Sequence, residues 1–260
     1  MLTPATQSLA DALVDAHRRG GNVQAATLSV PASDAEAYAV QDAVAGALGW
    51  FGTARAPAWK VGAASRDATP SAAPLPPHCV RTSPATFAAG SFRSIGIEGE
   101  IAFRLRAAPS PEAVAGDLAA LDAAIGELVV TIEVVEPRYA DVDAAGPTLK
   151  LADQGLNGAL VVGSGVPYRE LDWRAQVAQV RCDGRLVKET RGGHPLGDLR
   201  FLLGWLAGHA AGRGRALAAG DVVTAGTWTG LVMAEPGQTI DVEFPAIGKA
   251  SARFSRAGAS

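Results

Sequence analysis

Cysteine is scarce in this chain of 260 residues: Cys79 and Cys182 stand far apart, with no CxxC spacing. A disulfide framework is excluded and a thiolate zinc site has no support, so both read as reduced packing residues. An excess of one charge is missing too. The 23 Lys and Arg against 26 Asp and Glu leave a net charge of −3, and no basic cluster is interleaved with aromatics. The electrostatic footprint of a nucleic-acid binder is therefore absent, and a small or anionic substrate held by local groups fits better. No uninterrupted apolar run approaches the roughly 18 residues of a membrane span, so no membrane partner is expected. The opening "MLTPATQSLADALVDAHRRG" lacks a basic start followed by an apolar stretch, which predicts a cytoplasmic location. Internal repeats and low-complexity tracts are lacking as well, apart from general alanine enrichment.

What is present suffices for a full core and requires no more than one domain with an N-terminal extension. Leu9, Leu13 and Ala16 recur at helical spacing after Ser8, a plausible N-cap, and "RGGN" supplies glycines where a helix ends. A second helix is predicted in "SDAEAYAVQDAVAGALGW", capped by Ser33 or Asp34 with Glu36 in its first turn. Between these and the next periodic segment, prolines and small residues from about Ser65 to Thr86 predict a long irregular loop, of the kind that covers a site. From Phe92 onward, short apolar runs bounded by Gly, Pro or Asp predict a mainly β core. Two helices interrupt it: "SPEAVAGDLAALDAAIGEL", and "LGDLRFLLGWLAGHAAG" with Asp198 as cap and Leu199, Leu202, Leu203 and Leu206 on one stripe. The chain thus divides into a helical region with a long loop, residues 1–90, and a β core, residues 91–260.

Within that core, "GIEGEIAFRL" sets Glu98 and Glu100 on one face of an otherwise apolar strand, since side chains alternate. Two like charges held close need water, a shared proton or a cation between them. An isolated pair of this kind reads equally as a solvated strand face. Glu133 lies in "ELVVTIEVVEPRY", a buried-looking strand in which a lone carboxylate is costly without a cation; Arg138 is near in sequence as an ion-pair partner. Taken together, Glu98, Glu100 and Glu133 offer three hard oxygen ligands with positions left open, which suits Mg2+ or Mn2+ better than zinc.

The strings "EAYAVQ", "WKVG", "GIEGEIAFRL", "TIEVVEPRY", "LADQGLNGALVVG", "GGHPLGDLRFLLGWLAGH" and "AGDVVTAGTWTGLVMAEPGQTIDVEFPAIGKASARF" follow one another across nearly the whole chain. In order and spacing they resemble the 2-keto-4-pentenoate hydratase and 4-oxalocrotonate decarboxylase branch of the fumarylacetoacetate hydrolase superfamily. That resemblance implies an α+β fold, with a mixed β-sheet roll or sandwich core and peripheral helices. It also implies a divalent-metal enzyme of aromatic meta-cleavage catabolism and a homo-oligomeric state. Carried over residue by residue, it places the metal ligands at Glu98, Glu100 and Glu133 and the active-site lysine at Lys60. Departures occur at "DQGLN", which keeps Asp153 but sets Gln154 and Asn157 where relatives commonly show Asn and Ser. Others occur at Gly193-His194-Pro195 and at "GTWTG". Gln154, Asn157, His194 and Thr227 are accordingly expected to contact substrate. Read alone, Lys60 also suits a snorkelling surface lysine, His194 a loop residue and Asp153 a turn cap. His17, His78 and His209 read as surface or packing residues.

The expected partner is a 2-keto or 2-hydroxydienoic acid. The leading expectation is a hydratase, in which Lys60 transfers a proton and Asp153 or Glu136 delivers a proton or water to the far alkene carbon. A 4-oxalocrotonate-type decarboxylase is the alternative, since both routes pass through one dienolate. An acylpyruvase-type C–C hydrolase and a non-catalytic keto-acid binder are further rivals.

Overall fold

Thr3, not Ser8, caps the first helix. In the computed structural model, which describes residues 2–258, helix α1 spans Pro4–Arg19 and the Thr3 hydroxyl accepts from the Thr6 amide at 3.2 Å. Proline at the first helical position lacks only an N–H that would have had no partner, which moves the start upstream. Helix α2, Asp34–Ala47, begins at the predicted Ser33 cap, whose hydroxyl accepts from the Glu36 amide. Leu9, Leu13, Val40 and Val44 from these two helices form a cluster of their own with Tyr139 and Leu149.

Strand β1, Ala58–Gly62, comes first, and the stretch after it corrects the expectation of an irregular loop over residues 65–86: it holds strands β2, Ser71–Leu75, β3, Val80–Thr82, and the start of β4, Ala85–Phe87. Pro74 is tolerated because β2 is an edge strand, where a missing N–H need not break a ladder. Strand β5, Ile95–Leu105, follows. The next predicted helix is split into α3, Pro111–Val114, and α4, Leu118–Ala124, because Gly116 adopts φ 95° and Asp117 caps a new start. Its predicted C-terminal end belongs instead to strand β6, Ile125–Val135, which the register with β5 claims from Ile125 onward. Helix α5, Pro147–Ala152, leads into strand β7, Asn157–Pro167. Strands β8, Val177–Cys182, and β9, Arg185–Arg191, form a hairpin across Asp183-Gly184, both at positive φ as a two-residue turn demands. Helix α6, Arg200–Gly212, has Leu199 rather than Asp198 at its N-cap position; the Asp198 carboxylate, one residue upstream, accepts from both the Arg200 amide at 3.0 Å and the Arg200 guanidinium. Strands β10, Val222–Thr227, β11, Val232–Ala234, β12, Thr239–Phe244, and β13, Gly248–Phe254, complete the chain.

Eight strands form one sheet in the order β2-β1-β10-β5-β6-β7-β3, with β11 also paired to β5; the other five form a sheet in the order β4-β13-β12-β8-β9. The two pack face to face over Ile97, Ile101, Phe103, Val242 and Phe244, with α6 leucines joining the same core. This is the expected α+β architecture. Strands from residues 58–87 complete both sheets, since β1 runs parallel to β10 and β4 parallel to β13. No helix among the described residues is long and apolar enough to cross a membrane.

Candidate active site

Antiparallel register sets Glu98 directly opposite Glu133, and Glu100 opposite Thr131. Strand alternation then turns all three carboxylates to the same face of the large sheet, away from Ile97 and Ile101 in the inter-sheet core. One oxygen from each carboxylate lies within 4.8 Å of the others. Glu100 and Glu133 are each only 1% exposed. The neighbour expected for Glu133, Arg138, pairs elsewhere. Lys60 takes its place: from the parallel strand β1, its ammonium donates to Glu133 Oε1 at 2.5 Å and to the Gly155 carbonyl at 2.7 Å. Gly155 sits at φ 60° against the lysine stem, and a Cβ there would lie 3.2 Å from Lys60 Cε.

This crowding of charge shifts protonation. Burial, and then the Glu133 charge, push Glu98 up to about 7 and Glu100 up to about 8. Burial works against the Lys60 charge, but the Glu133 charge and hydrogen bond outweigh it and raise the lysine above its ordinary value. Neutral donors fix the carboxylates. The Thr224 hydroxyl donates to Glu100 Oε2 and accepts from Thr131 at 2.9 Å, and the Gly226 amide donates to the same oxygen at 3.1 Å. Asn157 Nδ2 donates to Glu133 Oε1 at 3.2 Å. A bulge between Thr224 and Thr227 aims the Gly226 amide inward; at φ 97°, with a Cβ position 2.9 Å from His194 Nε2, this residue has to be glycine.

The carboxylates and Lys60 form one wall of a cavity of about 320 Å3, lined also by Ala72 and Ala73 of β2 and by Pro147, Lys150 and Leu151 of α5. Two buried acids and a third, partly buried one beside a bonded ammonium are a donor set suited to a hard divalent cation, with hydrogen bonds behind Glu100 and Glu133 to orient them.

The sequence profile of the fumarylacetoacetate hydrolase C-terminal family matches residues 52–255. The chain belongs to the fumarylacetoacetate hydrolase family. A 4-oxalocrotonate decarboxylase from Pseudomonas putida is 29% identical over 164 residues, which cover 61% of this chain and 59% of that relative. The matched segment therefore spans less than two thirds of the relative's length. The structure of 4-oxalocrotonate decarboxylase from Pseudomonas putida G7, complexed with magnesium and adipate, is similar with a TM-score of 0.79 at 24% identity, over 98% of this chain and 99% of that one. 2-Hydroxyhepta-2,4-diene-1,7-dioate isomerase from Mycobacterium marinum is similar at a TM-score of 0.55 and 19% identity, over 78% and 76% of the two chains.

Within this fumarylacetoacetate hydrolase fold, only some of the predicted site residues converge. Lys60, Glu98, Glu100 and Glu133 do, and Asn157 joins them through Glu133. Asp153 does not line the cavity. It is buried against Arg138, whose Nε donates to it at 2.6 Å and whose amide donates at 2.9 Å, so it clamps the turn before β7. Glu136 accepts from the Arg93 amide at 2.9 Å and lines a separate cavity with His17, His78 and Arg138. Gln154 faces that second cavity too and donates to the Gln41 carbonyl at 3.3 Å. His194 lies behind Gly226, hydrogen-bonded to the Ala225 carbonyl at 3.1 Å, and burial pushes it down to about 4, which keeps it neutral. Thr227 stands opposite Glu100 in the ladder, and its buried hydroxyl has no hydrogen-bond partner among the described residues. His17 is a packing residue: it lies 3.8 Å from Asp153, but burial holds it near 3, so no ion pair forms. Sequence reading missed Thr224, Thr131 and Lys150; Gly226 lay within the "GTWTG" departure and does line the cavity. The only signal for Thr224 was its alternation with apolar neighbours in "VVTAGT", and the pairing of β10 with β1 was needed to use it.

Proposed function

We propose that this protein decarboxylates a vinylogous 2-keto acid of the 4-oxalocrotonate type. Glu98, Glu100 and Glu133 would hold Mg2+ or Mn2+, and such a cation, when bound, supplies Lewis-acid stabilisation of negative charge on a keto oxygen. Lys60, kept charged by Glu133, holds an anionic substrate and donates a proton. In the reaction, the bond between the distal carboxylate and its CH2 carbon breaks. The electron pair passes through the alkene to the 2-keto oxygen, CO2 leaves, and the resulting dienolate takes up one proton.

The observation that carries decarboxylation over hydration is the short inventory of proton-handling groups in the cavity. Besides the three carboxylates, Lys60 and Lys150 are its titratable side chains among the described residues. The residues expected to manage water are otherwise engaged: Asp153 is bound by Arg138, and Glu136 lines the second cavity. Adding water to an alkene needs a base that places and activates it, whereas loss of CO2 needs an electron sink and one later donor. The likeness to 4-oxalocrotonate decarboxylase over nearly the whole chain supports the same reading. The test is to offer the Mg2+-loaded protein 2-oxo-3-hexenedioate and, separately, 2-hydroxypenta-2,4-dienoate. Release of CO2 from the first, with slow loss of dienol absorbance in the second, is expected. Rapid hydration of the dienoate without CO2 release would return the assignment to a hydratase.

A further inference from the structure

Lys60 is not the only lysine that lines the cavity. Helix α5 turns Pro147, Lys150 and Leu151 toward it, the i, i+3, i+4 pattern of one helical face. The Lys150 backbone amide is satisfied by the Gly146 carbonyl at 3.1 Å. Its half-buried side chain, by contrast, meets no carboxylate or carbonyl among the described residues, while the Lys60 ammonium is already committed to Glu133 and Gly155. Apolar side chains of Val61, Ala72 and Leu151 line the same space. One uncommitted cation on a short apolar wall, in a cavity of about 320 Å3, is a recognition site for a small anion carried on a hydrocarbon spacer.

We infer that Lys150 pairs with a second carboxylate at the far end of the substrate, so that the cavity selects dicarboxylic over monocarboxylic keto acids. This deepens the proposed function and rests on its keto-acid reading of the site. When the far carboxylate is the one that departs, the ion pair exists in the ground state and is lost as neutral CO2 forms. Lys150 then governs which acid binds, and its removal raises KM for the dicarboxylate without lowering kcat.

Unreactive probes separate recognition from chemistry. Calorimetry on the full-length, Mg2+-loaded protein should give adipate at least about tenfold tighter binding than hexanoate, the scale of one charge-assisted contact. Lys150→Met should bring the two ligands to within about threefold, Lys150→Arg should keep most of the preference, and Mg2+ titration and the melting midpoint should match wild type in both variants. Equal binding of the two probes by wild type, or a preference that survives Lys150→Met, overturns the inference. Failure of the decarboxylase reading looks different: the preference would disappear in Lys150→Met while wild type released no CO2 from 2-oxo-3-hexenedioate.

Discussion

At the scale of single residues, the decisive contact is the 2.5 Å pair between Lys60 and Glu133. A carboxylate this buried needs a cation, and the lysine supplies it; with Glu133 and the Gly155 carbonyl bonded, one of its three N–H donors is left for substrate. Lys60→Ala is expected to lower turnover by about two to four orders of magnitude, the range of a lost general acid. Mg2+ affinity should change by less than about tenfold, because the three carboxylates and their neutral donors remain in place. Calorimetric metal titration alongside steady-state kinetics checks this, and lost metal affinity with normal turnover at saturating Mg2+ would show that Lys60 serves the metal site alone. Sequence alone identified Lys60 and the three glutamates as candidates. For Glu133 read alone it offered Arg138, five residues away, as an ion-pair partner, whereas the cation the fold supplies is 73 residues away.

At the scale of elements, the site depends on a defect in β10. The bulge between Thr224 and Thr227 interrupts the ladder with β5 and frees the Gly226 amide to hold Glu100. Gly226→Ala would force a side chain into a left-handed backbone and against His194, so a loss of roughly 1–3 kcal/mol in urea denaturation is expected. Weaker Mg2+ binding should accompany it, as the displaced amide no longer orients its carboxylate; an alanine variant with unaltered stability and metal affinity would refute the role given to the bulge. Element boundaries were legible where a local signal was strong, as at the Ser33 cap. They were not legible in residues 65–86, because prolines and small residues look alike in a loop and in an edge strand whose partner is distant in sequence.

At the scale of the whole molecule, the crowded carboxylates make stability depend on pH. Glu98 and Glu100 are raised by burial and then by the Glu133 charge, so the folded apo protein binds more protons than the unfolded chain between the ordinary glutamate value and about 7 to 8. Their contribution to stability is fully present below that ordinary value and is lost as pH rises through the folded values. His17 and His194 are lowered by burial and act in the opposite direction, but only below the ordinary histidine value, where the unfolded chain takes up their protons. The melting midpoint of the metal-free protein should therefore fall between about pH 6.5 and 8.5, a window in which the histidines contribute little. Over the same range, the midpoint gain on adding Mg2+ should grow, since metal binding requires deprotonated ligands. Glu100→Gln should flatten the apo profile and abolish most of the Mg2+ gain. A pH-independent apo midpoint in scanning calorimetry would contradict the crowding.

The amino-acid sequence by itself determined the fold class, the acidic strand pair and the family, because strand alternation and the order of short motifs are local properties carried by adjacent residues. Strand alternation alone placed Glu98 and Glu100 on one face. Tertiary structure decided which charges meet. Only the β5–β6 register sets Glu133 opposite Glu98, and only the parallel pairing of β1 with β10 brings Lys60 to them. It also decided that Asp153 belongs to Arg138 and that Lys150 faces the cavity. The physical reason is that Coulomb and hydrogen-bond energies fall off over a few ångströms of space, whatever the separation along the chain, so the partner of a buried charge is chosen by packing.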